Sequence, residues 1–435
     1  IKKALDEEGG LLLQGNAGNG KTWVAMNIIK EYAKRVKVLA PTNKAALNIR
    51  GNTIHSFLKM TEEGKISKKF LDIIRDSYDL IVVDEISMID KEMWRRLCLL
   101  KQQTKIKFLL LGDDKQCPPV EVDGLDSYFN HPVVRYLTNN QRNTLTVRKR
   151  YDKELYDMLK NVDKVDVKKF VYKDTEVNIC YTNDTRVYIN KMWNDKLKTK
   201  DAILISANPD DYESQDIYLY EGLPVIATRT KRDKQEGILW ANSEKYWVSG
   251  YDDKNIVLWT ERPNENGEKE DYVIDVEIDE FRNNFYMNYC CTTHKMQGET
   301  LSDNFTIYDW DKMTTKLRYT ALSRAKKPDQ VYISNLVVPR RPNTFISNIN
   351  KKLKSYKEQD KVRGFKTNIK VADVTELYKV QNGDCKICGC VMKQTYSGND
   401  GKQFSVDRVD SRMGHVKGNI QLLCLECNRS KKNRF

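Results

Sequence analysis

The sequence predicts an α/β protein with two parallel-sheet domains, a small antiparallel β insertion in the second, and a compact metal-binding tail. Three observations predict this. Short, nearly continuous apolar runs alternate with amphipathic helices through the first 145 residues, as strands buried on both faces of a parallel sheet do. From about residue 216 to 284 the pattern changes to aromatic and β-branched runs separated by turn clusters. Five of the ten cysteines fall in the last 51 residues, in two C-x-x-C pairs and one extra thiol.

Taken in order, residues 10–14, 36–40, 80–84 and 106–112 read as the strands of a doubly wound domain over 1–145. Residues 21–34 follow the first strand as a helix, with Val24, Ile28 and Ala25, Ile29, Tyr32 on its apolar stripe. A strand at 178–181 and a helix at 184–197 open a second α/β domain over 146–215, which resumes at 285–336. The β module between them spans 216–284. Residues 337–372, rich in Pro, Lys and Asn, read as a basic linker with one helix, and 373–435 as the tail domain. A start at Ile1 without Met predicts that the native protein is longer.

The charge balance, 74 − 61 = +13, points to a polyanionic partner, most commonly nucleic acid. Residues 361–435 carry a surplus of +8. No run approaches the ~18 apolar residues that span a bilayer, so no membrane role is expected. Ten cysteines are too few for a disulfide scaffold of this length. Their split between apolar stretches and the tail fits a reducing intracellular compartment, cytoplasm or nucleus.

Gly15, Asn16, Ala17, Gly18, Asn19, Gly20, Lys21 and Thr22 form G-x-x-x-x-G-K-T between a strand and a helix. Glycines let successive N–H groups turn inward at phosphate oxygens, and the helix N-terminus adds positive potential. Lys21 is expected on the β- and γ-phosphates of ATP, and the Thr22 hydroxyl on Mg²⁺. A buried strand then ends in Asp84-Glu85. Asp84 is expected to hold Mg²⁺, and Glu85 to orient or deprotonate the attacking water. Gln116, after the strand at 106–112, is placed to report the γ-phosphate.

These residues resemble the superfamily 1 DNA helicases of the RecD, Dda and Pif-type branch. The resemblance runs from about Leu11 to Asn335. It is carried by the phosphate loop, by Ala40-Pro41-Thr42-Asn43-Lys44, Thr53-Ile54-His55-Ser56-Phe57 and Val83-Asp84-Glu85, and by residues 112–120 and 137–142. It is most specific at residues 292–301 and 319–325. It implies two RecA-like P-loop domains with ATP in the cleft between them, an inserted SH3-like module, and movement 5′ to 3′ along single-stranded DNA. Arg142 from the first domain and Arg324 from the second would stabilise the transferring phosphoryl group, and Gly298 would lie at the nucleotide. Pro41, Thr42, His55, Phe57, Asn183, Thr293 and His294 would face DNA, and about 59–70 would supply a wedge that splits the duplex. Asn19 and Cys117 stand where the family usually has Thr and Leu, and the adenine-reading glutamine motif would lie upstream of Ile1. Replication or repair proteins are the partners such an enzyme would meet, and a Lys- and Asn-rich composition suggests an AT-rich genome of viral, phage or protist type.

In the tail, Cys385-x-x-Cys388 and Cys424-x-x-Cys427 are spaced to supply four thiolates to a tetrahedral Zn²⁺. Residues 405–431 resemble the zinc-braced ββα core of HNH endonucleases. Asn419 matches the central Asn and Asn428 the last metal-binding position, while Arg408 replaces the general-base histidine after Asp407. His415 would have to substitute for it. Two expectations stay open: a nuclease using Asp407, His415, Asn419 and Asn428, or a DNA-binding relic. The whole reads as an ATP-dependent DNA helicase acting on single-stranded and duplex DNA. The alternatives are a helicase–nuclease fusion and a translocase that does not unwind.

Overall fold

A computed structural model describes residues 1–7, 9–32, 35–58, 67–118, 128–211, 213–233, 237–263, 268–339, 344–395 and 400–431. The expected wedge falls largely on residues 59–66, outside the described residues, as do Pro119 and Val120 of the 112–120 motif. The described chain forms two compact units. The first comprises 1–197, 221–276 and 284–337; the second comprises 198–220, 277–283 and 338–435.

The first unit opens with strands β1 (Gly10–Gly15), β2 (Val36–Ala40), β3 (Asn52–Thr53), β4 (Leu80–Val83), β5 (Lys107–Gly112) and β6 (Arg142–Leu145). They pair in the order β3-β2-β4-β5-β1-β6, every pairing parallel. The apolar runs explain this: all four residues of β4 are buried, and β5 is buried from Phe108 onward. Alternate residues face opposite sides of the sheet. Leu11 and Leu13 therefore join Ala25 and Ile28 in one core, while Leu12 joins Trp94, Leu97 and Leu100 in another. Parallel strands bring their C-terminal ends to one edge, so the loop after β1, Asp84 after β4 and Asp113 after β5 meet there.

A second parallel sheet orders Cys290–Thr292, Val177–Cys180, Phe305–Ile307 and Val331–Ile333. Helix Asn183–Leu197 follows its central strand, as expected. Between the segments of this lobe lies a five-stranded sheet, in the order Lys269–Glu277, Asn255–Pro263, Lys245–Tyr251, Pro224–Ala227, Phe285–Met287. Two expected boundaries move. Ile217–Leu219, read as the first strand of the β module, pairs instead with Ile203–Ile205. Phe285–Met287, read as the return to α/β, is antiparallel to Pro224–Ala227.

In the second unit the expected linker proves to be core. Helix Phe345–Val362 contributes Ile349 and Leu353, and the following segment Ile369, Val371 and Val374, to one cluster with Phe404, Val406, Leu422 and Leu423. The Phe345 ring lies 4.7 Å from Tyr378 and 5.0 Å from Phe404. A tail of two strands and one short helix has too little apolar surface to stand alone, and this helix supplies the rest. Among the described residues no helix is long and apolar enough to cross a membrane.

Candidate active site

The phosphate loop is shaped by two glycines at positive φ, Gly18 at +76° and Gly20 at +82°. Gly18 is also pressed against the chain: a Cβ there would come within 2.7 Å of the Tyr151 ring and 2.9 Å of Arg150 Cβ. The N–H groups of Lys149 and Arg150 both donate to the Gly18 carbonyl at 3.2 Å. The Lys21 ammonium curls back on the loop, donating to the carbonyls of Gly15 at 2.7 Å and Asn16 at 3.1 Å. It is therefore held against the loop.

Thr22 donates its hydroxyl proton to Asp84 Oδ2 at 2.9 Å, so the two expected magnesium ligands are adjacent. Burial pushes the Asp84 carboxyl up, against the opposing N–H of Glu85 and hydroxyl of Thr22. Glu85 sits in left-handed backbone at φ +52°. Burial, then the neighbouring Asp84 charge, raises its carboxyl to about 7, with Lys21 and Arg324 pulling it down. Gln116 is buried, and its side-chain oxygen has no partner among the described residues. A buried orphan acceptor costs stability unless something donates to it, and a water held at a terminal phosphate fits that need.

Helix Thr315–Leu322 of the second lobe closes on this edge. The buried Tyr319 hydroxyl donates to Asp113 Oδ2 at 2.7 Å and accepts from the Ala17 N–H at 3.0 Å. The Cys117 N–H donates to Thr320 Oγ1 at 3.2 Å, and Gln297 Nε2 to the Cys117 carbonyl at 3.1 Å. Arg324, only 2% exposed, is fixed by the carbonyls of Thr320 (2.9 Å), Met296 (3.1 Å) and Glu299 (2.7 Å) and by Ser323 Oγ (2.8 Å). Lys21, Thr22, Asp84, Glu85, Gln116, Gly298 and Arg324 all line one cavity of about 290 Å³. Beside it, Glu299 joins three parts of the unit. It accepts from Lys44 of the first lobe at 2.6 Å and from Lys245 of the β module at 2.7 Å. Burial alone would raise the Glu299 carboxyl, but the two lysines outweigh it and hold it below its ordinary value.

Several expected residues stand elsewhere. Arg142 is not on the cavity: on edge strand β6, its guanidinium donates to the Phe129 carbonyl at 2.5 Å and to Asn130 Oδ1 at 3.1 Å. Arg150 lines the cavity instead, carried there by the Gly18 contact. Thr293, expected at DNA, is 0% exposed and donates to the Cys180 carbonyl at 3.1 Å. The Phe57 ring is half-buried, with Phe70 and Tyr78 6.1 and 5.9 Å from it and the Lys37 ammonium 5.2 Å away. Pro41 is buried. Thr42 is half-buried and caps helix Asn43–Asn48, and Asn183 is half-buried and accepts from Arg186. His55 is exposed, and His294 is half-buried, with its ring pKa lowered by burial. Sequence reasoning passed over Trp23 and Arg150, which belong to no motif it singled out, and gave no role to Tyr319, although it opens the motif at 319–325.

Residues 1–166 match the family described as AAA domain. An ATP-dependent DNA helicase Pif1 of Campylobacter jejuni is 31% identical over 140 residues, 28% of this chain and 31% of that protein. A PIF1 helicase of Saccharomyces cerevisiae is 31% identical over 145 residues, 28% of this chain and 17% of that protein. The matched regions thus span less than a third of these relatives' length. A solved Pif1 helicase of Candida albicans superposes with a TM-score of 0.57 at 20% identity, covering 81% of this chain and 97% of that one. A Bacteroides Pif1 in complex with ADP-AlF3 and single-stranded DNA gives 0.55 at 18%, covering 82% and 95%. The fold is that of the solved Pif1 helicases.

In the second unit, the sulfurs of Cys385, Cys388, Cys424 and Cys427 all lie within 4.8 Å of one another, with Cys388 and Cys424 at 3.8 Å. Zn–S bonds of about 2.3 Å in a tetrahedron separate sulfurs by about 3.8 Å, so the donor set fits zinc. Cys390 lies outside this set; its carbonyl accepts from the Cys385 N–H at 2.9 Å. Strands Phe404–Arg408 and Ile420–Cys424 form an antiparallel pair that runs into helix Leu425–Lys431, a ββα unit. Its expected nuclease residues are otherwise engaged. His415 is buried, stacked on Tyr356 with ring centroids 4.4 Å apart, and bonded to Asp360 at 2.9 Å. Asp407 Oδ2 accepts from Lys431 at 2.7 Å and Gln421 at 2.8 Å. Asn419 braces a loop through the carbonyls of Asp410 and Gly414, and Asn428 donates to Ser405 Oγ at 3.0 Å.

Proposed function

We propose that the chain is an ATP-dependent DNA helicase that moves 5′ to 3′ on single-stranded DNA and opens duplex ahead of it. The observation that carries this reading is the shared cavity: Lys21 from one lobe and Arg324 from the other line it together with the Thr22, Asp84 and Glu85 constellation. The names of the sequence relatives and of the structures that share the fold support the same activity.

In this reading the loop N–H groups and Lys21 hold the β- and γ-phosphates of ATP, and Thr22 and Asp84 would hold magnesium, which would supply positive charge to offset that of the phosphates. Glu85 orients the attacking water and takes its proton, helped by a carboxyl already raised to about 7. Gln116 supplies its unpartnered oxygen to that water. Arg324, with Arg150 in the role first expected of Arg142, stabilises charge on the transferring group. The two lobes grip one anionic ligand while it lasts, and lose that shared grip after hydrolysis. Alternation of DNA affinity between the lobes then moves the strand. Thr42, His55, Asn183 and His294 remain the residues assigned to the DNA face.

The five-stranded antiparallel sheet serves as the SH3-like module. The tail is a zinc-braced, HNH-like DNA-binding domain. We read it as non-cleaving, because an ammonium occupies the Asp407 carboxylate and the only histidine of the tail is locked to Asp360. A labelled duplex with a 5′ tail is expected to separate in the presence of ATP and Mg²⁺, while a 3′-tailed one stays paired and neither is shortened. Hydrolysis without separation of either substrate would replace the helicase reading with a translocase.

A further inference from the structure

We infer that Trp23 is the platform on which the nucleotide base stacks, so that ring area contributes to nucleotide selection at this site. The inference rests on the nucleotide reading above and concerns a part of the cavity that reading leaves without a role.

Trp23 follows Thr22 on the first turn of helix Lys21–Tyr32 and is 72% exposed. Among the described residues no other Trp, Tyr or Phe is so open; the next, Tyr136 and Tyr172, stand at 45%. It takes no part in the helix's own packing. Ala25 and Ile28, with Val24 and Ile29, carry the face that meets the core, and Trp23 is not in that cluster. Its position nevertheless matters, because it lines the same cavity as Lys21, Thr22 and Arg324.

The lining has other apolar members. Ala45 and Ile49, buried at 6% and 3%, line that cavity too. The cavity is thus divided in character. The loop amides, Lys21 and Arg324 suit anions, whereas Trp23, Ala45 and Ile49 are apolar. A nucleotide has the same division. With its terminal phosphates fixed by Lys21, its nucleoside would be within the same cavity as the indole, two residues further along the helix. An indole presents a π-face, and every base has one. Such a platform gives affinity without hydrogen-bond discrimination, and more of it to a purine than to the smaller pyrimidine ring.

The test compares ADP, GDP, CDP and inorganic pyrophosphate binding by calorimetry to wild type, Trp23→Ala and Trp23→Phe, with indole fluorescence recorded in parallel. Loss of the stack is expected to weaken ADP and GDP by roughly 5- to 150-fold. Trp23→Phe retains most of the affinity, and pyrophosphate binding changes by less than about two-fold in either variant. ADP is expected to quench wild-type emission, and the quench to disappear in Trp23→Phe. If wild type binds ADP and Trp23→Ala binds it equally well, the inference is overturned and the phosphate-site reading stands. If wild type binds neither ADP nor pyrophosphate, both fall.

Discussion

Truncating Arg324 to alanine is expected to lower DNA-stimulated ATP turnover by roughly 10³- to 10⁵-fold, the range for losing an arginine finger. The side chain is almost fully buried and held by four acceptors, so its guanidinium reaches the cavity in one fixed orientation. The same burial means that alanine removes structure as well as charge: three carbonyls lose their donor, at a cost of about 1–3 kcal/mol for each left unpaired. Arg324→Lys separates the two effects. It keeps the charge but loses the planar fork, and is expected to fall well below wild type in turnover while its melting temperature stays closer to wild type than that of Arg324→Ala. Turnover in Arg324→Lys within about two-fold of wild type would show that the fork is not needed.

The second large effect is in the tail. The purified protein is expected to hold one zinc per chain, and removing it to unfold the unit around Phe404, Leu422 and Leu423. Structural zinc contributes apparent free energies of about 10–16 kcal/mol in small domains. The ββα unit has a modest core, and Cys385 and Cys424 lie within it. Cys424→Ser, or chelation, should therefore release the metal and bring fast amide exchange across 345–431, including the helix Phe345–Val362 that the sequence assigned to a linker. A metal-free protein with full exchange protection there would exclude the zinc assignment.

What could be read in advance was what is local. The phosphate loop is eight consecutive residues whose glycines dictate the backbone, and Asp84-Glu85 ends an apolar run whose burial follows from its composition. The departures from expectation all turn on contacts distant in sequence. Arg142 and Arg150 share one basic stretch, and only the approach of residues 149–151 to Gly18 decides which reaches the cavity. Thr293 sits in a specific motif, yet the Cys180 carbonyl 113 positions earlier draws it inward. His415 and Asp360 are separated by 55 residues, so nothing local marked that histidine as a brace. The linker was misread because lysines and asparagines dominate its composition, while Ile349, Leu353, Ile369 and Val374 find their partners in the ββα unit.

The central claim is that one triphosphate is held by lysine from the first lobe and arginine from the second. ATP hydrolysis by wild type and Lys21→Ala, each with and without single-stranded DNA and with DNA retention scored on the same samples, tests it most directly. The account predicts DNA-stimulated turnover in wild type, and loss of turnover with DNA binding largely intact in the variant. Substantial DNA-stimulated hydrolysis by Lys21→Ala would contradict it.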